Sequence, residues 1–314
     1  MELINKLGNE NKQTRLDALS ELKSMIDSGK IEKPVMGKDV NNHIHSVYSF
    51  SPYTPTAAVW MAYTSGLCTA GIMDHDSICG AEEFIEAADI IGMASTIGSE
   101  VRADMSKTAL AGKRINNPDQ KGIAYVALHG IPHTQIGRVS EFFKPLNKAR
   151  LERDRKMVVK INEVMAPYGI SLDFDKDVLP ISYEAKGGSV TERHLLFALA
   201  NKIVEKFGRG QATLDFLCND MGIKVSEKIQ GFLLDTENSC YEYDLLGVLK
   251  SDMVEKIYIP ATDECPDIHD VAALAKETGA ILAYAYLGDV GNSVTGDKKH
   301  RNLKTIIWMS FLNV

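Results

Sequence analysis

No Cys-x-x-Cys pair occurs in the chain, and its five cysteines (Cys68, Cys79, Cys218, Cys240, Cys265) are scattered and odd in number. That pattern excludes a cysteine zinc knuckle and argues against a disulfide scaffold, so reduced thiols in a cytoplasmic protein are expected. No apolar run reaches the ~20 residues of a membrane-spanning helix. The opening MELINKLGNENKQTRLDALSELK is charged and amphipathic, without the apolar core of a secretory signal. Basic charge is in deficit: 35 Lys and Arg against 42 Asp and Glu leave a net −7. No global positive field therefore recruits nucleic acid or an anionic membrane. The densest basic stretch, KARLERDRK, reads as a solvated helix face rather than an RNA site. Internal repeats and low-complexity tracts are missing too. What remains is ordinary: 45% hydrophobic and 25% charged residues over 314 positions suit one large domain, or one with a sizeable insertion.

Apolar spacing at Leu3, Leu7, Leu16, Leu19, Leu22 and Ile26 predicts one helix over 1–28, stopped by Gly29, with a linker after it. From Val40 onward, short apolar segments alternate with helices. NNHIHSVY, CTAGIMDHD and ASTIGSEVRA read as strands, while TPTAAVWMAYTSG and GAEEFIEAADIIG read as helices closed by Gly66 and Gly92. Trp60 and Met61 are expected to pack the first of these helices on its strand. This alternation predicts a parallel α/β architecture. Residues 141–241 differ, being mainly amphipathic helices separated by Gly and Pro, and the α/β pattern returns with IHDVAALAKETG and AILAYAYLG.

In parallel α/β folds the chemistry gathers at the C-terminal ends of the strands. His43, His45, Asp74, His75 and Glu100 fall at or just past three successive strand ends. Residues i and i+2 of a strand share a face, so His43 and His45 can aim at one point, although such a pair is also found without metal. Asp74-His75-Asp76 can equally be a polar loop with a helix cap, and Glu100 a solvated charge. Taken together, imidazoles and carboxylates at three neighbouring strand ends suit zinc, manganese or iron.

The stretch from Asn41 to Val101 resembles the opening of a PHP (polymerase and histidinol phosphatase) domain: His-x-His, then Asp-His-Asp about thirty residues on, then Gly-x-Glu. The resemblance implies an α/β fold, a distorted (β/α)7 TIM-like barrel. It also implies one to three divalent metals, and hydrolysis of a small phosphomonoester (a nucleotide or a sugar or amino-alcohol phosphate) by a metal-activated hydroxide. On this pattern His43, His45, His75 and Glu100 match ligand positions, Asp74 orients or ligates, and Asp74, His75 and Glu100 stand at the catalytic centre. The helical insertion resembles that of nucleoside-bisphosphate phosphatases in the family, where a VT-x-x-H segment, here VTERH, lies near the substrate phosphate. Arg193 and His194 are the implied phosphate contacts, although Thr191 capping a helix explains the same text.

The match departs from the family's pattern in several places. Phe50 stands where an aspartate is usual, Ala124 or Tyr125 where a histidine is, and Tyr284 where Ala-His-Pro is expected. His129 and His133 are candidate substitutes, and Tyr284 and Asp289 can still face the site. These departures keep a second reading open, a catalytically degenerate metal- or nucleotide-binding module, and amide hydrolysis or deamination on the same barrel is a third. No polymerase domain accompanies the motif in this text, so a proofreading role is not expected. The implied organisation is an N-terminal helix and linker over 1–38, a first barrel part over 39–140, the insertion over 141–241 and a second barrel part over 242–314.

That second part is expected to be C-terminally incomplete. The tail RNLKTIIWMSFLNV is apolar and lacks helix chemistry. One back-translation with a single base restored after His300 reads HQKFEDDYLDEFFKR, an amphipathic helix, which points to a one-base loss in a longer parent.

Overall fold

The structure is a computed structural model that describes residues 2–117 and 119–286. Asp289, His300 and the tail text lie outside the described residues. The chain divides into two compact units. The first comprises the described residues of Met1–Ala149, Ser182–Ser189 and Thr262–Val314, the second Arg150–Ile181 and Val190–Ala261.

In the first unit the expected single N-terminal helix is two helices, α1 (Glu2–Lys6) and α2 (Lys12–Asp27). The run Gly8-Asn9-Glu10-Asn11 breaks them, since Gly and Asn are poor helix formers and Asn11 is spent as a cap. Its side chain accepts from the Thr14 N–H at 3.1 Å. Strand β1 (Val40–Ile44) leads to α3 (Pro55–Thr64), which Thr54 caps with Pro55 in the first turn. Next come β2 (Thr69–His75) and α4 (Ala81–Ile91), the latter closed by Gly92 at φ 75°, a left-handed cap that favours glycine. Trp60 is buried as expected, but Met61 is 43% exposed. Successive helix residues point about 100° apart, and only one of these two meets the core.

Strands β3 (Ala94–Asp104) and β4 (Ile123–His129) complete the centre of a five-stranded sheet, ordered β1-β2-β3-β4-β5. The first three strands are parallel, as the alternation predicts. β4 is antiparallel to β3, which the alternation did not predict. A parallel return needs a crossover of a dozen or more residues, usually a helix. The text between the two strands, rich in Gly, Asn and Lys, holds turns rather than a helix. After the second unit, α10 (Ile268–Thr278) leads to β5 (Ile281–Tyr284), antiparallel to β4. The result is a mixed α/β fold whose sheet curls as a half-barrel.

Register sorts the side chains onto two faces. Val101, Val126 and Tyr284 are paired across three strands, as are Glu100, Ala127 and Ala283. Val101, Ala103, Val126 and Leu128 belong to the apolar core, with Leu19 and Leu22 of α2, Phe84 of α4 and Leu274 of α10. The opposite face therefore carries Glu100, Ala127 and their neighbours. A buried ion pair fastens α2 to α4: Arg15 Nε donates to Glu83 Oε1 at 2.8 Å, and its Nη2 to Glu83 Oε2. Thr56 Oγ1 on α3 donates to the same carboxylate at 2.7 Å.

The second unit is helical. It begins within α5 (Ile136–Met165) and holds α6 (Glu192–Phe207), α7 (Gln211–Asp215), α8 (Glu227–Leu234) and α9 (Tyr241–Ile257). Buried Leu195, Leu199 and Ile203 of α6 and Leu245, Leu249 and Met253 of α9 form its core. This unit runs on to Ala261.

Candidate metal centre

β1 does not pair evenly with β2. Val40 and Asn41 match Thr69 and Ala70, and then Ile44 matches Ile72, so β1 carries an extra residue before Ile44. A bulge of this kind re-aims side chains. His43 and His45 end up with ring centroids 5.1 Å apart, one edge-on to the other. β2 delivers His75 beside Glu100 of β3, since the two are register partners on parallel strands.

The four groups converge on one oxygen. Glu100 Oε2 lies 3.3 Å from His43 Nε2, 3.3 Å from His75 Nδ1 and 3.9 Å from His45 Nε2. Each of His43, His45 and Glu100 offers a ligand atom within 4.8 Å of the others'. The rings of His45 and His75 stack at 4.5 Å. Two donors on one tetrahedral ion with bonds of 2.0–2.1 Å sit about 3.3–3.4 Å apart, so the two 3.3 Å spacings fit a shared divalent cation and the His45 spacing is longer. The donor set of imidazole nitrogen and carboxylate oxygen is chemically right for zinc, manganese or iron.

Asp74 faces away from this group. It is buried, and its carboxylate accepts from the Ser46 N–H and Ser46 Oγ, both at 2.6 Å, and from Ser49 Oγ at 2.7 Å. Burial raises its pKa, and the Ser46 and Ser49 hydrogen bonds work against that rise. Asp74 thus ties β2 to the loop that follows His45. Ser189 Oγ donates to the His75 carbonyl at 2.6 Å, and the Asp76 N–H donates to the Glu100 carbonyl at 2.9 Å. None of these three serines stands out in the motif text. Ser46 had a usable signal, since it directly follows the second histidine and a buried aspartate needs donors, whereas Ser189 had none.

His129, at the end of β4, has its ring 6.5 Å from that of His43. Burial lowers its pKa, His43 adds to the lowering, and Glu100 opposes it. His133 is exposed in a short 3-10 turn before α5, and among the described residues no contact joins it to the cluster. Tyr284 pairs with Val126 and is half-buried against the core, and both it and Ala283 line the cavity beside the cluster; burial, with Tyr286 nearby, pushes the Tyr284 phenol up to about 12. A cavity of about 410 Å³ opens beside the cluster, lined by His43, Glu100, His129, Tyr125 and Ala127 among others.

Arg193 and His194 lie in the second unit. Arg193 is exposed at the start of α6. His194 is buried and closes the capping box of that helix: the Thr191 N–H donates to His194 Nδ1 at 3.0 Å. Burial, with Arg150 adding to it and Glu192 opposing, lowers the His194 pKa to about 4.

No family model matches the chain. Over 82 residues it is 37% identical to error-prone DNA polymerases of Mycobacterium bovis and Mycobacterium tuberculosis, a stretch that covers 26% of this chain and 7% of those relatives. Among solved structures it is similar to a protein of Bifidobacterium adolescentis provisionally assigned as a metal-dependent phosphoesterase. The TM-score is 0.53 and the identity 22%, over 88% of this chain and 76% of that one. An amidohydrolase of Chromobacterium violaceum, solved with sulfate bound and no metal, gives a TM-score of 0.54 at 17% identity, over 87% and 73% of the two chains. No helix among the described residues is long and apolar enough to cross a membrane. The likeness to both solved proteins is one of fold.

Proposed function

We propose that the first unit is the core of a metal-dependent phosphoesterase, built as a distorted (β/α)7 barrel of PHP type and acting on a small phosphomonoester. The observation that carries this is the convergence of His43, His45 and His75 on Glu100 Oε2. Zinc, manganese or iron, one to three ions in all, would be held by these four residues, with His129 beside His43 as a further donor. Bound there, such cations supply Lewis acidity and neutralise charge on a phosphoryl group. The chain's own groups do the rest. Glu100 keeps the imidazoles facing one point. Asp74, through Ser46 and Ser49, holds the loop after His45 in place, as outer-shell carboxylates do. The cavity wall of Tyr125 and Ala127 receives the leaving group. The phosphoesterase and amidohydrolase among the similar structures support a hydrolase of this fold.

A specific observation favours a second reading, a metal- or nucleotide-binding module without turnover. Tyr284 stands where the resemblance expects a histidine and Phe50 where it expects a carboxylate, so the donor set is smaller than the family's. Phosphate release separates the two. Metal-loaded protein incubated with sugar, nucleotide and aryl phosphates should release inorganic phosphate, and His43→Ala and Glu100→Gln should abolish it. Binding of these esters without release would favour the module, and release of ammonia from amide or amine substrates would favour the amidohydrolase chemistry.

A further inference from the structure

The site face continues past the metal ligands into a short flat floor. Ala127 stands between Glu100 and Ala283 in register, and Ala285 follows next to Tyr125. Along β4 the site-facing residues are Tyr125, Ala127 and His129, so nothing bulkier than a methyl group separates the phenol ring from the candidate ligand His129. The Tyr125 ring centroid is 5.9 Å from that of His75. All of these residues but His75 line the same cavity, with Tyr286, 54% exposed, at its rim.

Tyr125 is also anchored by its own backbone. Its N–H donates to Asn116 Oδ1 at 2.8 Å, and its carbonyl accepts from Asn116 Nδ2 at 2.8 Å. The same Nδ2 donates to the Ala285 carbonyl at 2.6 Å, and Asn116 is 5% exposed. A buried amide thus clamps the strand at Tyr125 to the end of β5. A preorganised aromatic face beside small residues is what a flat ring needs to stack on.

We propose that Tyr125 is the platform of a ring subsite, and that the substrate is a phosphomonoester whose leaving group carries a planar aromatic ring at or next to the ester oxygen. The ring must lie close to phosphorus, because the platform is less than 6 Å from a ligand histidine. In the reaction the oxygen of one water bonds to phosphorus, the ester P–O bond breaks, and a proton from that water goes to the departing ring alcohol. This proposal rests on the phosphoesterase assignment, and its test is chosen so that either can fail alone.

The probes are phenylphosphonate and methylphosphonate, which cannot be hydrolysed, titrated calorimetrically into the full chain loaded with Mn²⁺. Phenylphosphonate should bind about tenfold tighter, in line with ring stacking on an aromatic side chain. Tyr125→Ala should weaken phenylphosphonate about tenfold more than methylphosphonate, and Tyr125→Phe should keep the wild-type preference. Equal binding of the two probes by the wild type, equal weakening of both in Tyr125→Ala, or no binding of either overturns the platform. A Tyr125-dependent ring preference without phosphate release from phenyl phosphate supports the platform and removes the phosphoesterase assignment.

Discussion

Acidification should destabilise the helical unit through one residue, His194. Its Nδ1 accepts the Thr191 N–H at 3.0 Å and stands 3.1 Å from Thr191 Oγ1, so the fold requires the neutral ring. Its folded pKa is about 4, against an ordinary 6.5. Above 6.5 the ring is neutral in both states and the stabilisation is fully present. As pH falls below 6.5 the unfolded chain takes up the proton first, and the advantage is gone near pH 4. At ~1.36 kcal/mol per pH unit the full effect is about 3 kcal/mol, most of which should be lost between pH 7.5 and 4.5. The ring is only 2% exposed, so solvent screening removes little of this. Urea unfolding at several pH values measures it, with His194→Gln as the comparison, because glutamine can serve the capping box but does not titrate. Wild type should lose about 2–3 kcal/mol more than the variant over that range. Identical pH profiles would refute the reasoning. An NMR titration midpoint for His194 at or above 6.5 would do the same, and would instead suit an imidazole that meets phosphate.

Other positions allow equally direct checks. Gly98 lies where an added Cβ would collide with the Leu128 carbonyl oxygen and come within 2.6 Å of Met73 Cε. Gly98→Ala should therefore cost about 2–3 kcal/mol in thermal or urea unfolding, as overpacking does, and an unchanged melting temperature would contradict the packing. Arg15→Met leaves Glu83 buried without its partner and should cost about 3–5 kcal/mol, most of it recovered in Arg15→Met/Glu83→Leu. A double variant no more stable than the single one would show that the pair itself is the stabilising element. Asp74→Asn should weaken divalent-metal affinity about 10–100-fold by loosening the loop after His45, and an unchanged affinity by calorimetry would remove Asp74 from the site's support.

The ligand group is legible because its chemistry is local: His43, His45 and His75 sit at or just past strand ends, and strand periodicity says where such residues point. Glu100 lies inside β3, which runs four residues past it, rather than at its end. The parallel start of the sheet followed from the same alternation. What escaped depends on tertiary register. The bulge in β1 that turns His43 toward His45 has no mark in the sequence. Whether β4 returns parallel or antiparallel depends on a connection that lacks a crossover helix, and that choice sets Tyr125, Ala127 and His129 on the site face. Tyr284 pairs with Val126, packs against the core and also lines the cavity, a placement set by the β4–β5 register rather than by any local signal. The N-terminal helix was read as continuous because Leu7 and Leu16 fit one periodicity, while the break lies in the backbone preferences of Gly8 and Asn11.

The most direct test of the central claim is metal content per chain by elemental analysis. It should be done on protein purified without chelator or added metal, beside a His43→Ala/His45→Ala variant shown to be folded. The account predicts at least one equivalent of zinc, manganese or iron in the wild type and its loss in the variant. A folded wild type that carries no metal and takes up none on titration would contradict it.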